Sequence, residues 1–566
     1  MSNIYEKLSK ERKELQAKGL LPDWYTTAAW QMFKSKYLYD TDKAVKGQFE
    51  RIAKTAAKHL KGTVYEKQAE SKFFEMMWKG WLSPSTPVLA NMGTDRGLPV
   101  SCSGSTVSDS IDGFYKNLHE TAQLTKYGFG TSSNLSDIRP RGSKISVGGK
   151  ANGVVPVVKA HVQAMRDVSQ GTARRGAFAG YLNVEHGDFH ELCDLLQNEP
   201  DDLNLGWTIE DSFVDKLKQG DVEAQRRFQR ILKTKMITGK GYFFFKDKVN
   251  RKSPKIYKDK GLAVNNSNLC NEITLFNDDK NTFSCVLSSM NASKYDEWKG
   301  TDAVFWATIF LDCVASEFIE KANGVSGLEK VVKFTKEHRA LGLGLLGLHT
   351  YFMQNMIPFE SFDAHMKSQE ISGDIWSEAS RATRDMAVNL GEPEMCKGYG
   401  VRNTHLIAIA PTKSTGLLMA GVSEGINPDV AMTFTQLTAA GEVDRINPVL
   451  LNLMKKKGVY NAKNIAQISA TQGSVQGVDW LTEEEKQVFK TAFEINQEAI
   501  LRLASARSRY IDQWQSLNLF FDANESEEYI ASIHQQAFLD DNILGLYYIY
   551  TKAGVQASKG ECLACM

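Results

Sequence analysis

Cysteine is scarce in this chain: eight thiols in 566 residues, at Cys102, Cys193, Cys270, Cys285, Cys313, Cys396, Cys562 and Cys565. That density excludes a small disulfide-built secreted scaffold, and the charged start Met1-Ser2-Asn3-Ile4-Tyr5-Glu6-Lys7 offers no apolar signal region. Reduced thiols in the cytoplasm, or a host's cytoplasm if the source is viral, are the expectation. No apolar run approaches the roughly 18 residues that a membrane-crossing helix needs. Even the stretch from Leu341 to Leu348 is short and glycine-rich. An excess of one charge is also missing. The formal net charge of +1 gives no broad field for nucleic acid or an acidic membrane, so any phosphate must be met by local groups. With no Pro- or Ser-rich linker before the tail and no internal repeat, one continuous catalytic body is expected rather than separate modules.

What is present is enough for a large core: 42% of residues are hydrophobic and 24% charged. The first eighty residues read as helical. Between Thr41 and Gly62, the residues Val45, Phe49, Ile52, Ala53, Ala56 and Leu60 recur at the helical period, with Thr41 placed to cap and Gly62 to terminate. Phe73, Phe74, Met76, Met77 and Trp78 mark the next helix and are assigned to packing. From about residue 83, short β-prone runs such as Gly241 to Phe245 and Thr404 to Ala410 alternate with helical patterns at 301–323, 364–390 and 481–513. That alternation predicts a largely parallel α/β body.

The run Asn268-Leu269-Cys270-Asn271-Glu272 stands out, with Cys285 fifteen residues beyond Cys270 and Cys102 far upstream. In an extended segment, residues 268, 270 and 272 face one side. An amide could then hold a hydroxyl, a thiol could do one-electron or nucleophilic chemistry, and a carboxylate could move a proton. Taken alone, such a run is far more often a polar loop around a structural cysteine, and the other segments are what reverse that reading. The loop from Ser169 to Phe178 combines glycines with Arg174 and Arg175, which suits nucleotide contact as well as a plain surface turn. Pro411-Thr412-Lys413-Ser414-Thr415-Gly416 gathers hydroxyls and N–H groups at a predicted helix start, where phosphate binds, although capping uses the same residues. Tyr547-Tyr548 says little by itself. In the terminal Cys562-Leu563-Ala564-Cys565, one cysteine pair cannot close a four-ligand zinc site. A dithiol for exchange is preferred there to zinc shared with another chain.

Together these segments resemble the large, catalytic subunit of class I ribonucleotide reductase from about residue 80 to the C-terminus. Six motifs stand in the family's order: Ser85-Thr86-Pro87; Ser101-Cys102 with Asp109-Ser110-Ile111; Gln170 to Arg174; Asn268 to Glu272 with Cys285; Pro411 to Thr415; and Tyr547-Tyr548 with the cysteine tail. Arg339 to Gly347 also looks like the family's glycine-rich strand. The resemblance implies a ten-stranded α/β barrel of two five-stranded parallel halves, with Cys270 on an inner finger loop. It divides the chain into a helical region at 1–82, the barrel at 83–552 and a redox tail at 553–566.

The resemblance also implies roles. Cys270 would carry a thiyl radical that removes the 3′ hydrogen of the ribose, Glu272 would take the 3′-hydroxyl proton, and Asn268 would fix the hydroxyls. Cys102 and Cys285 would supply the reducing electrons and end as a disulfide. Tyr547 and Tyr548 would relay the radical from a small, metal-containing partner subunit, and Cys562 with Cys565 would pass electrons from thioredoxin or glutaredoxin. Thr86, Ser101 and Pro411, Thr412, Lys413, Ser414 and Thr415 match positions that hold the phosphates of a ribonucleoside diphosphate. Asp109, Ser110, Ile111, Arg139, Gln170 and Arg174 match positions that read nucleoside triphosphate effectors (ATP or dNTP). The implied assembly is a homodimer that binds no metal or cofactor of its own, in a short form without the family's N-terminal ATP cone. The alternatives are a cobalamin-dependent reductase, against which the tyrosine pair argues, a thiol–disulfide carrier and a silent nucleotide binder.

Overall fold

The computed structural model describes residues 2–100, 102–168, 176–284, 286–438 and 441–552. Ser101, Gln170, Arg174, Cys285, Cys562 and Cys565 lie outside the described residues. The N-terminal region is helical, with helices Ser2–Ala17, Thr27–Met32, Val45–Ala57 and Glu66–Trp78 leading into the strand β1 (Leu82–Pro84). Thr41 does not cap. The third helix begins at Val45 behind Ala44, which makes no side-chain cap bond. The neighbouring Asp42 instead receives a two-pronged ion pair from Arg51, at 2.9 and 2.7 Å, which fixes the turn from outside the helix.

Five parallel strands follow in sequence order: β2 (Cys102–Thr106), β3 (Gly130–Asn134), β4 (Ala177–Asn183), β5 (Asn204–Ile209) and β6 (Tyr242–Phe245). Nearly every residue in them is buried, as expected for parallel strands covered on both faces. Two antiparallel edges complete this half: β7 (Phe283–Ser284) beside β2, and Gly545–Leu546 beside β6. The C-terminal segment with the tyrosines is thereby stitched to the strand opposite the one that carries Cys102.

The second half is built from β8 (Leu287–Asn291) and β9 (Gly342–Leu346), which are parallel, with β1 antiparallel on the outer edge of β8. Parallel bridges continue it from Leu343 to Ile407 and from Ile409 to Gln515. The stretch Thr404 to Ala410 therefore aligns as a strand without making a full ladder. Asp512 explains this, because its carboxylate accepts from the Leu406 and Ile407 N–H groups at 2.8 Å each. Gly344 has no room for a side chain, since a Cβ there would lie 2.8 Å from the Ala408 carbonyl oxygen. The whole is the mixed α/β barrel that the motifs implied, with its second half held together more by bridges than by ladders.

Helix Ala303–Ala322 is buried on almost every side and packs against Phe362–Leu390 and the N-terminal helices. Its more deeply buried acidic residue, Asp312, is paired with Arg339 and Arg402 at 2.7 and 2.8 Å. Burial alone would raise its pKa, but the two guanidiniums outweigh that and hold it at about 2. The pattern at 481–513 divides into helices Glu483–Val488 and Gln497–Arg507, because Asn496 caps the second and Ala492 N–H turns away to the Asp429 carbonyl. Among the described residues no helix is long and apolar enough to cross a membrane.

Candidate active site

Asn268, Cys270 and Glu272 come together through a turn, not through the alternation of an extended strand. The Asn271 N–H donates to the Asn268 carbonyl at 3.2 Å, and Asn271 sits at φ 63°, a left-handed conformation that asparagine tolerates better than most residues. The Asn268 side chain closes the turn from inside. Its Oδ1 accepts from the Glu272 and Ile273 N–H groups at 3.0 and 3.1 Å. Its Nδ2 donates to Glu272 Oε1 at 3.0 Å and to the Cys102 sulfur at 3.2 Å. One amide thus links the loop carboxylate to a thiol on β2.

The site is dry. Asn268 and Glu272 are 0% and 1% exposed, and Cys102 and Cys270 are 6% and 5% exposed. Burial, and next the neighbouring Cys102 sulfur, push the Glu272 carboxyl up to about 8, against the lowering effect of its Asn268 and Ser516 donors. A carboxyl poised there can exchange a proton near neutral pH. Cys102, Cys270 and Glu272 open onto a cavity whose lining also includes Thr86, Pro411, Thr412, Ser414 and Thr415. The reactive groups and a set of hydroxyls therefore share one cavity. Thr412 Oγ1 accepts from the Gly425 N–H at 2.8 Å, which fixes that loop. Lys413 is exposed and stands outside this lining.

Tyr547 and Tyr548 pack with ring centroids 4.1 Å apart and planes tilted by 48°, Tyr547 buried and Tyr548 half-buried. Tyr242 of β6 completes a three-ring cluster, its centroid 4.7 Å from Tyr547 and its hydroxyl 3.2 Å from that of Tyr548. Asn271 ties this cluster to the reactive loop, because its Nδ2 donates to the Phe243 and Leu546 carbonyls at 2.9 and 3.2 Å. The Lys235 ammonium donates to the Tyr547 carbonyl, and burial lowers its pKa to about 7.

Beyond the C-terminal end of β2, Asp109 pairs with Arg139 at 2.6 Å, and Ser110 caps helix Ile111–Lys126 through the Gly113 N–H. Ile111 is exposed. One cluster thus includes the first residue of β2, and the other follows its last.

Sequence reasoning missed Ser516, which donates to the Cys270 carbonyl at 2.7 Å and lies 3.1 Å from Glu272 Oε2. It also missed Tyr181, whose hydroxyl donates to the Asn268 carbonyl at 2.7 Å. Asn271 carried a legible signal, an asparagine between two reactive residues where a turn must reverse the chain.

The chain matches the ribonucleotide reductase barrel domain over residues 100–222, 215–395 and 393–549, and the ribonucleotide reductase all-alpha domain over 23–97. The chain belongs to the ribonucleotide reductase large-subunit family. A frog virus 3 (isolate Goorha) protein, provisionally named as a ribonucleoside-diphosphate reductase large subunit, is 33% identical over 89% of this chain and 95% of its own length. The zebrafish (Danio rerio) ribonucleoside-diphosphate reductase large subunit is 27% identical over 85% of this chain and 70% of its own length. Among solved structures, the Actinobacillus ureae class Id ribonucleotide reductase alpha subunit superposes with a TM-score of 0.86 at 35% identity, covering 94% of this chain and 98% of that one. This ribonucleotide reductase subunit is therefore an oxidoreductase of deoxyribonucleotide synthesis, and its similarity to a class I alpha subunit favours that class over the cobalamin-dependent one.

Proposed function

We propose that this large subunit reduces ribonucleoside diphosphates to 2′-deoxyribonucleotides on a thiyl radical at Cys270. The observation that carries the reading is the shared cavity, lined by Cys102, Cys270 and Glu272 together with Thr412, Ser414 and Thr415. In the first step, the Cys270 sulfur radical takes a hydrogen atom from C3′, giving a thiol and a carbon radical. Glu272, as carboxylate, accepts the 3′-hydroxyl proton, and Asn268 orients that hydroxyl. Cys102 and Cys285 together give two electrons and two protons, so the 2′-hydroxyl leaves as water and the thiols become a disulfide; Glu272 then returns its proton to O3′ and the Cys270 thiol its hydrogen atom to C3′, which closes the product and restores the thiyl radical. Thr86, Ser101 and the 411–415 loop take the diphosphate.

The same reading assigns Tyr547 and Tyr548 to a relay from a small radical-generating partner, whose metal supplies the oxidising equivalent, and Cys562 with Cys565 to exchange with thioredoxin or glutaredoxin. Asp109, Ser110, Ile111, Arg139, Gln170 and Arg174 would bind the effector nucleotide and convey its identity. The apolar, exposed Ile111 and Tyr115, on one helix face, would meet a second copy of the chain in a homodimer. The helical region at 1–82, the barrel at 83–552 and the tail at 553–566 are the corresponding divisions, and a cytoplasm with reduced thiols is the setting. The test is turnover of CDP by the purified chain. Activity only after addition of a radical-bearing partner supports the reading, whereas activity with adenosylcobalamin and no partner replaces it with the cobalamin-dependent alternative.

A further inference from the structure

The loop that carries Cys270 has two legs, and its buried polar side chains form rungs between them. Nearest the tip, Asn268 bonds the Glu272 and Ile273 backbone. One step back, the Ser267 hydroxyl donates to the Ile273 carbonyl at 2.7 Å. At the base, Asn277 Nδ2 donates to Asn266 Oδ1 at 2.8 Å. Asn266, Ser267, Asn268 and Asn277 are all 0% exposed, so no water competes for these bonds.

The base rung continues in both directions. Thr106 Oγ1, at the end of β2, donates to Asn277 Oδ1 at 2.6 Å. Asn266 Nδ2 in turn donates to the Ser267 carbonyl at 3.0 Å, which also accepts from Ser132 Oγ at 2.7 Å. The donors therefore point one way throughout, from Thr106 through Asn277 and Asn266 to the peptide group that precedes Asn268. Thr106 stands three residues before Asp109, and Asn268 touches both Cys102 and Glu272.

We propose that Asn266 and Asn277 are positioning residues that transmit the state of the segment between Thr106 and Asp109 to the Asn268 amide, and so set how well the thiol and the carboxylate are aligned. The inference rests on the reading of Asp109 as part of an effector site. The chemistry needs such a device: a displacement of about 1 Å at reacting atoms can cost a hundredfold in rate. A directional chain of buried amides has no slack to absorb movement at its outer end, since breaking any link leaves a buried donor or acceptor unpaired.

The experiment uses the full chain with dTTP as probe and reads amide hydrogen exchange across residues 266–273, alongside CDP and GDP turnover with the partner subunit. In the unaltered chain, dTTP should slow exchange in that stretch. Thr106→Val keeps volume and removes only the first donor. It should bind dTTP with unchanged affinity, lose the exchange response, and lose about tenfold of the dTTP effect on substrate choice. Asn266→Ala should lower kcat by about tenfold while the KM for CDP stays within twofold, because it disturbs alignment and not nucleotide contact. If the unaltered chain does not bind dTTP, the effector reading and the coupling fall together. If it binds and Thr106→Val responds as the unaltered chain does, or Asn266→Ala keeps its kcat, the inference is overturned while the proposed activity stands.

Discussion

The Ser516 hydroxyl lies between the Cys270 carbonyl at 2.7 Å and Glu272 Oε2 at 3.1 Å and has one proton to offer them, while the Asn268 amide holds Oε1 at 3.0 Å. Both donors favour the ionised carboxylate in a site whose burial opposes it. Ser516→Ala removes one of them and should raise the Glu272 pKa further. Turnover, which should rise with pH through about 8 as Glu272 ionises, should then rise at higher pH, with a loss of about tenfold at pH 7. A pH–rate profile checks this, and an unmoved limb would show that Glu272 is not the titrating base.

Glu272 should also leave a mark on stability. Its pKa is raised from 4.5 to about 8 on folding, so across that window the native state holds a proton that the unfolded chain has released. Stability from this group is full below the window and falls as pH rises through it, by about 1.4 kcal/mol per pH unit. Denaturant titrations of Glu272→Gln and of the unaltered chain should diverge with that slope, and parallel curves would refute the burial argument.

The sign is opposite at Asp312, whose pKa is depressed from 3.8 to about 2 by Arg339 and Arg402. Its stabilisation is present above the ordinary carboxylate range and is lost as pH falls toward 2. Asp312→Ala should destabilise the barrel by about 3–5 kcal/mol, because two guanidiniums remain buried without their partner. Urea unfolding measures it, and a loss below 1 kcal/mol would contradict the assignment.

Tyr547→Phe and Tyr548→Phe each delete a phenolic hydroxyl with almost no change in volume, so the packed cluster should hold and the melting temperature should barely move. Turnover with the radical-bearing partner should nevertheless be lost. Substantial activity in either variant would remove that tyrosine from the relay.

Replacing both Cys562 and Cys565 by serine should stop repeated turnover driven by thioredoxin but allow one burst of product, with a small dithiol restoring the steady rate. Normal thioredoxin-driven turnover in the double variant would reopen the zinc reading of the terminal cysteines.

The sequence made visible those residues whose reactivity or position in a motif is itself the signal. Asn268, Cys270 and Glu272 stand in five consecutive residues, and the strand at 242–245 and the helices at 303–322 and 362–390 follow their periodicities. Ser516 and Tyr181 were hidden because a hydroxyl matters only through what it touches, and their partners lie 244 and 87 residues away in the chain. Thr41 and the run at 481–513 misled for a related reason: Asp42 with Arg51, and Ala492 with Asp429, settle those boundaries through contacts that local propensity cannot register.

Asn271 holds the loop of Cys270 and the strand leading into Tyr547 with a single side-chain amide. It therefore acts as a gauge block between the sulfur and the phenols: in the proposed relay, the gap between them is held in part by a residue that takes no part in the passage. Loops exchanged between relatives would keep that gap only if the segment around Leu546 travelled with them.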